Sequence, residues 1–333
     1  MFGARQKLRA IAFFAMRQSF MLAYIARRVL ASVPVLVVVA LFVFLLLRLT
    51  PGDPAAIIAG DMATPEQLER IRDSLGLNEP LLTQFFTWSG QLLTGDFGRS
   101  LISRTPVLTL IGQRLEPTLS LAIVTMIITL VLSIPMGVVA AWRHGSLTDN
   151  VVMAISVLGF SIPVFVTGYI FIQIFAIDMR VFPVQGFKSI FDGAGPFLAR
   201  IVLPGFTLAT IYIALIARMT RAAMLEVLDE DYIRTARAKG LSERIVLFRH
   251  ALRNAAVPIL TVVGTGFALM ISGVVVTESV FNIPGLGRLT VDAILARDYP
   301  VIQALILLTS GIYVVINLLI DISYAFMDPR IRY

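Results

Sequence analysis

Val35-Leu36-Val37-Val38-Val39-Ala40-Leu41-Phe42-Val43-Phe44-Leu45-Leu46-Leu47 is an unbroken apolar run, without the alternation that marks a half-buried strand. It lies inside residues 29–49, and a helix of roughly 20 residues spans the hydrocarbon core of a bilayer, about 30 Å thick. Five further runs share this length and character: residues 119–142, 151–177, 201–217, 257–276 and 301–320. A closed barrel also satisfies its backbone in lipid, but it reads as short alternating segments. The runs therefore predict an all-α, polytopic membrane protein with six transmembrane helices.

Composition agrees. Apolar residues make up 57% and charged residues 15% of the 333, and the mean hydropathy is +0.85. Such a chain cannot keep a polar surface on every side. The absence of cysteine excludes disulfides, thiolate metal sites and a cysteine nucleophile. With only His144 and His250, a histidine metal site is not expected, and no metal ligand set is assigned. The first run is long for a signal core and leads into Arg48 and Thr50-Pro51-Gly52-Asp53-Pro54 without a small-x-small cleavage site, so it is expected to stay as an anchor.

Six spans put both termini on one side, and the loops can be weighed against each other. Residues 1–28, 143–150, 218–256 and 327–333 together hold 17 Lys and Arg, against 10 in 50–118, 178–200 and 277–300. The first set is predicted to be cytoplasmic, with both termini inside the cell inner membrane. Acidic residues sharpen the contrast to +10 inside and −3 outside. The basic pI near 10.0 is thus a topology signal, and no nucleic-acid motif accompanies it.

Residues 1–28 alternate basic and apolar side chains and read either as an interfacial helix on anionic lipid or as an extension without structure. Residues 29–326 form the transmembrane domain, and 327–333 a cytoplasmic tail. The loop 50–118 is polar enough to fold as an external subdomain. There Thr64-Pro65-Glu66-Gln67 has the spacing of a helix cap, and Gly76 is placed to stop the helix. Phe85, Phe86 and Trp88 are expected at the membrane interface or against that helix. Pro135-Met136-Gly137, and Gly159 with Pro163, are breakers inside spans two and three.

The loop 218–256 is too polar to cross lipid. Leu228, Tyr232, Ala236 and Gly240 recur every fourth residue, predicting one face of a helix, with Arg234, Arg237 and Lys239 around it. Gly240 has the position of a left-handed helix stop, and Leu241 that of the apolar residue after it. Ser242 is expected to cap a second helix carrying Arg244, Arg249, His250 and Arg253, ending before Pro258. Small residues Ala236, Ala238 and Gly240 would let another surface come close. The bland alternative is a solvated basic loop that only enforces topology.

Asp231-Tyr232-Ile233-Arg234-Thr235-Ala236-Arg237-Ala238-Lys239-Gly240-Leu241, followed by Arg249-His250-Ala251-Leu252-Arg253-Asn254, resembles the cytoplasmic signature loop of binding-protein-dependent ABC importer permeases. More narrowly, the chain is similar to the first permease subunit of the dipeptide, oligopeptide and nickel family. Gly95-Asp96-Phe97-Gly98, Phe281-Asn282-Ile283-Pro284-Gly285-Leu286-Gly287-Arg288, Arg297-Asp298-Tyr299-Pro300 and the ending Asp328-Pro329-Arg330-Ile331-Arg332 share that likeness. Arg234-Thr235 and Arg253 depart from the wider loop consensus in the manner of the peptide-type branch. The resemblance implies a type I ABC importer permease fold and an assembly with a second permease, two ABC ATPases and a substrate-binding protein. It also implies that Leu228, Asp231, Tyr232, Thr235, Ala236, Arg237, Ala238, Lys239, Gly240 and Leu241 dock the ATPase. Phe281, Pro284, Gly285 and Gly287 would face the binding protein or gate the pore.

No P-loop is legible: the lysines are Lys7, Lys188 and Lys239, and none follows a glycine. No enzymatic activity or cofactor is expected of this chain; ATP and Mg would be bound by the partner ATPases. An intramembrane protease is disfavoured, since both histidines fall in loops. Arg48, Asp178, Glu278 and Asp321 lie at or near membrane depth, where an ion-coupled secondary transporter would keep its relay. That is the alternative function, and Asp321 with Asn317 is read as a polar interhelical contact.

Overall fold

The computed structural model describes residues 25–45, 55–56, 64–74 and 76–327. The expectations for residues 1–24, for Arg48 and the Thr50-Pro51-Gly52-Asp53-Pro54 motif, and for the ending after Met327 lie outside these. Among the described residues the elements are helical, apart from one isolated bridge between Arg99 and Pro106. The first span is α1, Ile25–Leu45. Two short helices follow, α2 (Pro65–Ser74) and α3 (Leu81–Leu93), and then α4 (Val107–Trp142) and α5 (Leu147–Ser161). Helix α6 (Val164–Phe171) widens into a π segment, Ile172–Asp178, before the long α7 (Ala194–Leu228) and the short α8 (Asp231–Ala238). Helix α9 starts at Glu243–Ile245, passes through a π segment at Val246–Ala251 and continues as Leu252–Val280; α10 (Leu286–Leu295) and α11 (Tyr299–Met327) complete the order.

Five of these helices are long and apolar enough to cross a bilayer, and α5 with α6 makes the sixth span as a pair bent by 104°. The bend has a local cause. Pro163 disfavours helical backbone at the residue before it, and Ile162 sits at φ −87°, ψ 125°. Pro135 and Pro258 behave differently, because each lies inside a continuous helix. The second loop helix therefore does not end before Pro258 but runs on into the fifth span; packed membrane helices compensate a proline's missing hydrogen bond.

Helix α7 is the axis of the bundle: 56% of its apolar window is buried, against 11% for α1 and for α11. Helix α4 reaches it through small residues, as membrane helices do when their backbones approach closely. A Cβ on Gly137 would stand 2.5 Å from Thr220 Cβ and 2.6 Å from the Ala217 carbonyl oxygen. Thr125, Thr129 and Ser133, at four-residue spacing on α4, are fully buried.

Outside the spans, α2 starts as its spacing predicts. The Thr64 amide donates to Gln67 Oε1 at 3.1 Å and the Gln67 amide to Thr64 Oγ1 at 3.3 Å, while Gly76 takes φ +64° at the end. Phe85 and Trp88 pack on the first span. Their rings surround buried Phe44 of α1, with centroids 5.2 and 5.6 Å away, so α3 lies against the first span. At its other end α1 is clamped by Arg28, whose Nε lies 2.7 Å from Asp321 Oδ2 on α11.

Candidate functional site

The polar end of α7 holds the loop that the sequence singles out. Helix α7 stops at Leu228, and α8 begins after the break at Asp229-Glu230. The four-residue rhythm through Leu228 thus crosses two helices: Leu228 belongs to the end of α7. Within α8, Ile233 and Ala236 are buried, packing with Val138 and Ala141 of α4, Met224 of α7, and Val246, Leu247 and Ala255 of α9. Ala236, expected among the docking residues, thus faces the chain's own core. Asp231, Tyr232, Thr235, Arg237, Ala238, Lys239 and Gly240 are exposed, together with Arg234.

The end of α8 is a Schellman cap. Gly240 has φ +74°, its amide donates to the Arg237 carbonyl at 2.9 Å, and the Leu241 amide donates to the Ala236 carbonyl at 3.4 Å. Nothing lies within 4 Å of where a Gly240 Cβ would be, so the residue is required by its backbone angle and not by space. Ser242 takes the cap position of the next helix without a side-chain cap bond. Two contacts brace the turn: Arg237 Nε donates to Glu243 Oε1 at 2.9 Å, and Asn254 Nδ2 donates to Tyr232 Oη at 2.9 Å. Partial burial pushes the Tyr232 phenol above its ordinary pKa, keeping it a neutral acceptor. Leu241, Ile245 and Phe248 are exposed beside this basic helix. The sequence reading missed Ile245 and Phe248; their spacing of four and seven residues from Leu241 was the available signal.

Next to this loop, Arg221 of α7 grips the α4–α5 turn. Its Nε and Nη2 donate to the two oxygens of buried Asp149 at 2.6 and 2.7 Å, and the Gly145 amide donates to Asp149 Oδ2 at 3.0 Å. A paired, buried carboxylate of this kind rigidifies the platform that carries α8.

At the opposite end, Phe281, Pro284, Gly285 and Gly287 do not form an exposed patch. Phe281 and Gly285 are buried, and Pro284 and Gly287 are half-buried. The two glycines make room for the wholly buried carboxylate of Glu278: a Cβ on Gly285 would sit 2.0 Å from Oε1, and one on Gly287 2.6 Å from Val275 Cα. Thr118 Oγ1 donates to Glu278 Oε1 at 2.5 Å and accepts from the Leu286 amide at 2.7 Å, while the Arg288 amide donates to Oε2 at 2.9 Å. Glu278 and Thr118 together cap the start of α10 from two other helices, where exposed amides attract negative charge. Asp321 is likewise an interhelical link, its partner being Arg28 of α1.

Residues 133–333 match the family described as "Binding-protein-dependent transport system inner membrane component", and residues 21–122 match the N-terminal membrane component of such systems. The chain belongs to this family. It is 56% identical over 310 residues, covering 93% of this chain and 99% of the relative, to a "Probable peptide ABC transporter permease protein" of Sinorhizobium fredii. Similarity to the "Glutathione transport system permease protein" of Escherichia coli is 43% over 313 residues, 94% of this chain and all of that one. Among solved structures, an inward facing conformation of the MetNI methionine ABC transporter shares the fold, with a TM-score of 0.55 at 18% identity over 66% of this chain and 97% of that one. The chain is thus a multi-pass inner-membrane component of an ABC transport system with the type I permease fold, and the ion-coupled alternative falls away.

Proposed function

We propose that this chain forms half of the translocation pore of an ATP-driven importer of peptides or related small solutes. A second permease completes the pore, two separate ATPases bind ATP and Mg, and a substrate-binding protein delivers the cargo. The observation that carries the reading is α8: an exposed basic helix held rigidly by buried Ile233 and Ala236, ended by the Gly240 cap and ringed by exposed Leu241, Ile245 and Phe248. A loop that merely set topology would have no use for a fixed orientation or an apolar rim. The residues offered to an ATPase are Asp231, Tyr232, Thr235, Arg237, Ala238, Lys239, Gly240 and Leu241. ATP-dependent contacts at this helix would favour one of two pore conformations over the other.

On this reading the termini and 218–256 face the cytoplasm, and the subdomain 50–118 faces the binding protein. Phe281, Gly285 and Gly287 act beneath that outer surface by holding α10. Peptide as the cargo class rests on the Sinorhizobium fredii and Escherichia coli relatives named above. The test is to co-express the four kinds of subunit and replace Ala238, exposed on α8, by Glu. Membrane levels should hold while the ATPase is lost on purification and uptake of labelled peptide stops. Wild-type uptake and ATPase retention in that variant would rule out α8 as the docking element.

A further inference from the structure

Where α5 bends into α6 a groove of about 370 Å³ opens on the bundle surface, walled by α4, α5, α6 and α7. Leu132, Ser156, Gly159, Thr167, Phe206 and Thr210 are among its lining residues, and the lining contains no charged side chain. Gly159 lets α5 press against α7, since a Cβ there would lie 3.0 Å from the Thr210 carbonyl oxygen. The bend therefore builds a wall and leaves one side open.

Arg218 stands one turn beyond groove-lining Ala214, on the side towards α8. Its Nε donates to the Ala214 carbonyl at 3.3 Å, and its guanidinium carbon lies 5.4 Å from the centre of the Phe160 ring. Among the described residues it makes no other hydrogen bond and no ion pair. The nearby acid is already taken: Arg221, three residues on, holds both oxygens of Asp149. Arg218 does not itself line the groove, but one turn beyond it the two terminal nitrogens have the fork geometry that suits a carboxylate. At the cytoplasmic end of a span, an arginine with no acidic partner is a candidate contact for an anionic substrate.

We propose that this groove and Arg218 form the part of the pore wall that receives the permeating peptide, with Arg218 meeting its C-terminal carboxylate and the apolar wall its side chains. This rests on the peptide-permease reading above. The complementarity is of charge and shape: one anionic end, one apolar body, one cation at the end of one apolar wall. A bound anionic phospholipid would share the carboxylate's charge, and the test separates the two.

The assembled transporter, reconstituted in proteoliposomes with its ATPases and binding protein, is compared as wild type, Arg218→Gln and Arg218→Lys for uptake of trialanine and of trialanine amide. Loss of a forked, charge-assisted contact should lower trialanine uptake by about tenfold or more in Arg218→Gln, leave the amide within about twofold of wild type, and be partly restored in Arg218→Lys. Both peptides falling together, neither changing, or a wild type indifferent to the carboxylate would overturn the inference while peptide import stands. Loss of co-purified anionic lipid from Arg218→Gln, with the ratio of the two uptakes unchanged, would assign the site to lipid and overturn it too. A wild type that imports neither peptide refutes the peptide reading and this inference together.

Discussion

A methyl group at Gly285 would overlap the Glu278 carboxylate, so the smallest possible substitution there tests the outer latch. Gly285 has φ −105°, which any residue adopts, so strain plays no part. Gly285→Ala must displace a buried carboxylate from Thr118 and the first amides of α10, with an expected cost of about 1 to 3 kcal/mol. Thermal unfolding followed by tryptophan fluorescence should report a lower midpoint; an unchanged one would show that the loop gives way freely. Asp149 permits a sharper comparison. Arg221→Met leaves the buried charge without its guanidinium, with the Gly145 amide and His144 Nδ1 still beside it, at a cost of up to about 3 to 5 kcal/mol, whereas Arg221→Met with Asp149→Asn removes the charge and should recover most of that loss. Equal damage in the single and double variants would mean that the pair matters only through packing. Ala236→Glu belongs with these core changes, since Ala236 lies inside the cluster of Ile233, Met224 and Val246. It is expected to lower membrane levels of the chain itself.

For the elements, the decisive case is α8. Gly240→Val introduces no clash but forces a β-branched residue to φ +74°, which costs about 1 to 2 kcal/mol. The helix should re-aim while the spans stay intact, giving normal membrane levels, weakened ATPase retention and slowed uptake; wild-type uptake would show that the orientation of α8 is immaterial. This stop was legible in the sequence because a glycine after a helical rhythm has one strong backbone reason to be there. Which face of α8 is buried was not legible. A four-residue rhythm marks a shared face but not what covers it, and here Ile233 and Ala236 turn inward while Tyr232 and Ala238 stay out. The same limit explains Gly285 and Gly287, expected to face the binding protein or gate the pore, whose packing on the Glu278 carboxylate no sequence pattern announces. Spans were readable from apolar length alone, yet the 104° bend needed Pro163 to be weighed against Pro135 and Pro258, and only packing separates the three.

Across the whole molecule, topology is open to direct measurement because the chain contains no cysteine. Single cysteines at Asn78 and Ser242 should react with a membrane-impermeant maleimide from outside and from inside intact cells respectively; the reverse pattern would invert the charge argument. The clamp between α1 and α11 carries a consequence for biosynthesis. Arg28 and Asp321 are 293 residues apart, and the second tether, Gln303 Nε2 donating to the Val43 carbonyl at 3.2 Å, also waits for α11. At ribosomal rates of about 5 to 20 residues per second the first helix emerges roughly 15 to 60 s before its clamp exists. With only 11% of its window buried even in the finished bundle, α1 must hold its place in lipid through that interval with α3 against one end but without its clamp to α11. Its unbroken apolar run, which is more hydrophobic than packing requires, is what a nascent chain needs to stay parked in the bilayer until its last helix arrives.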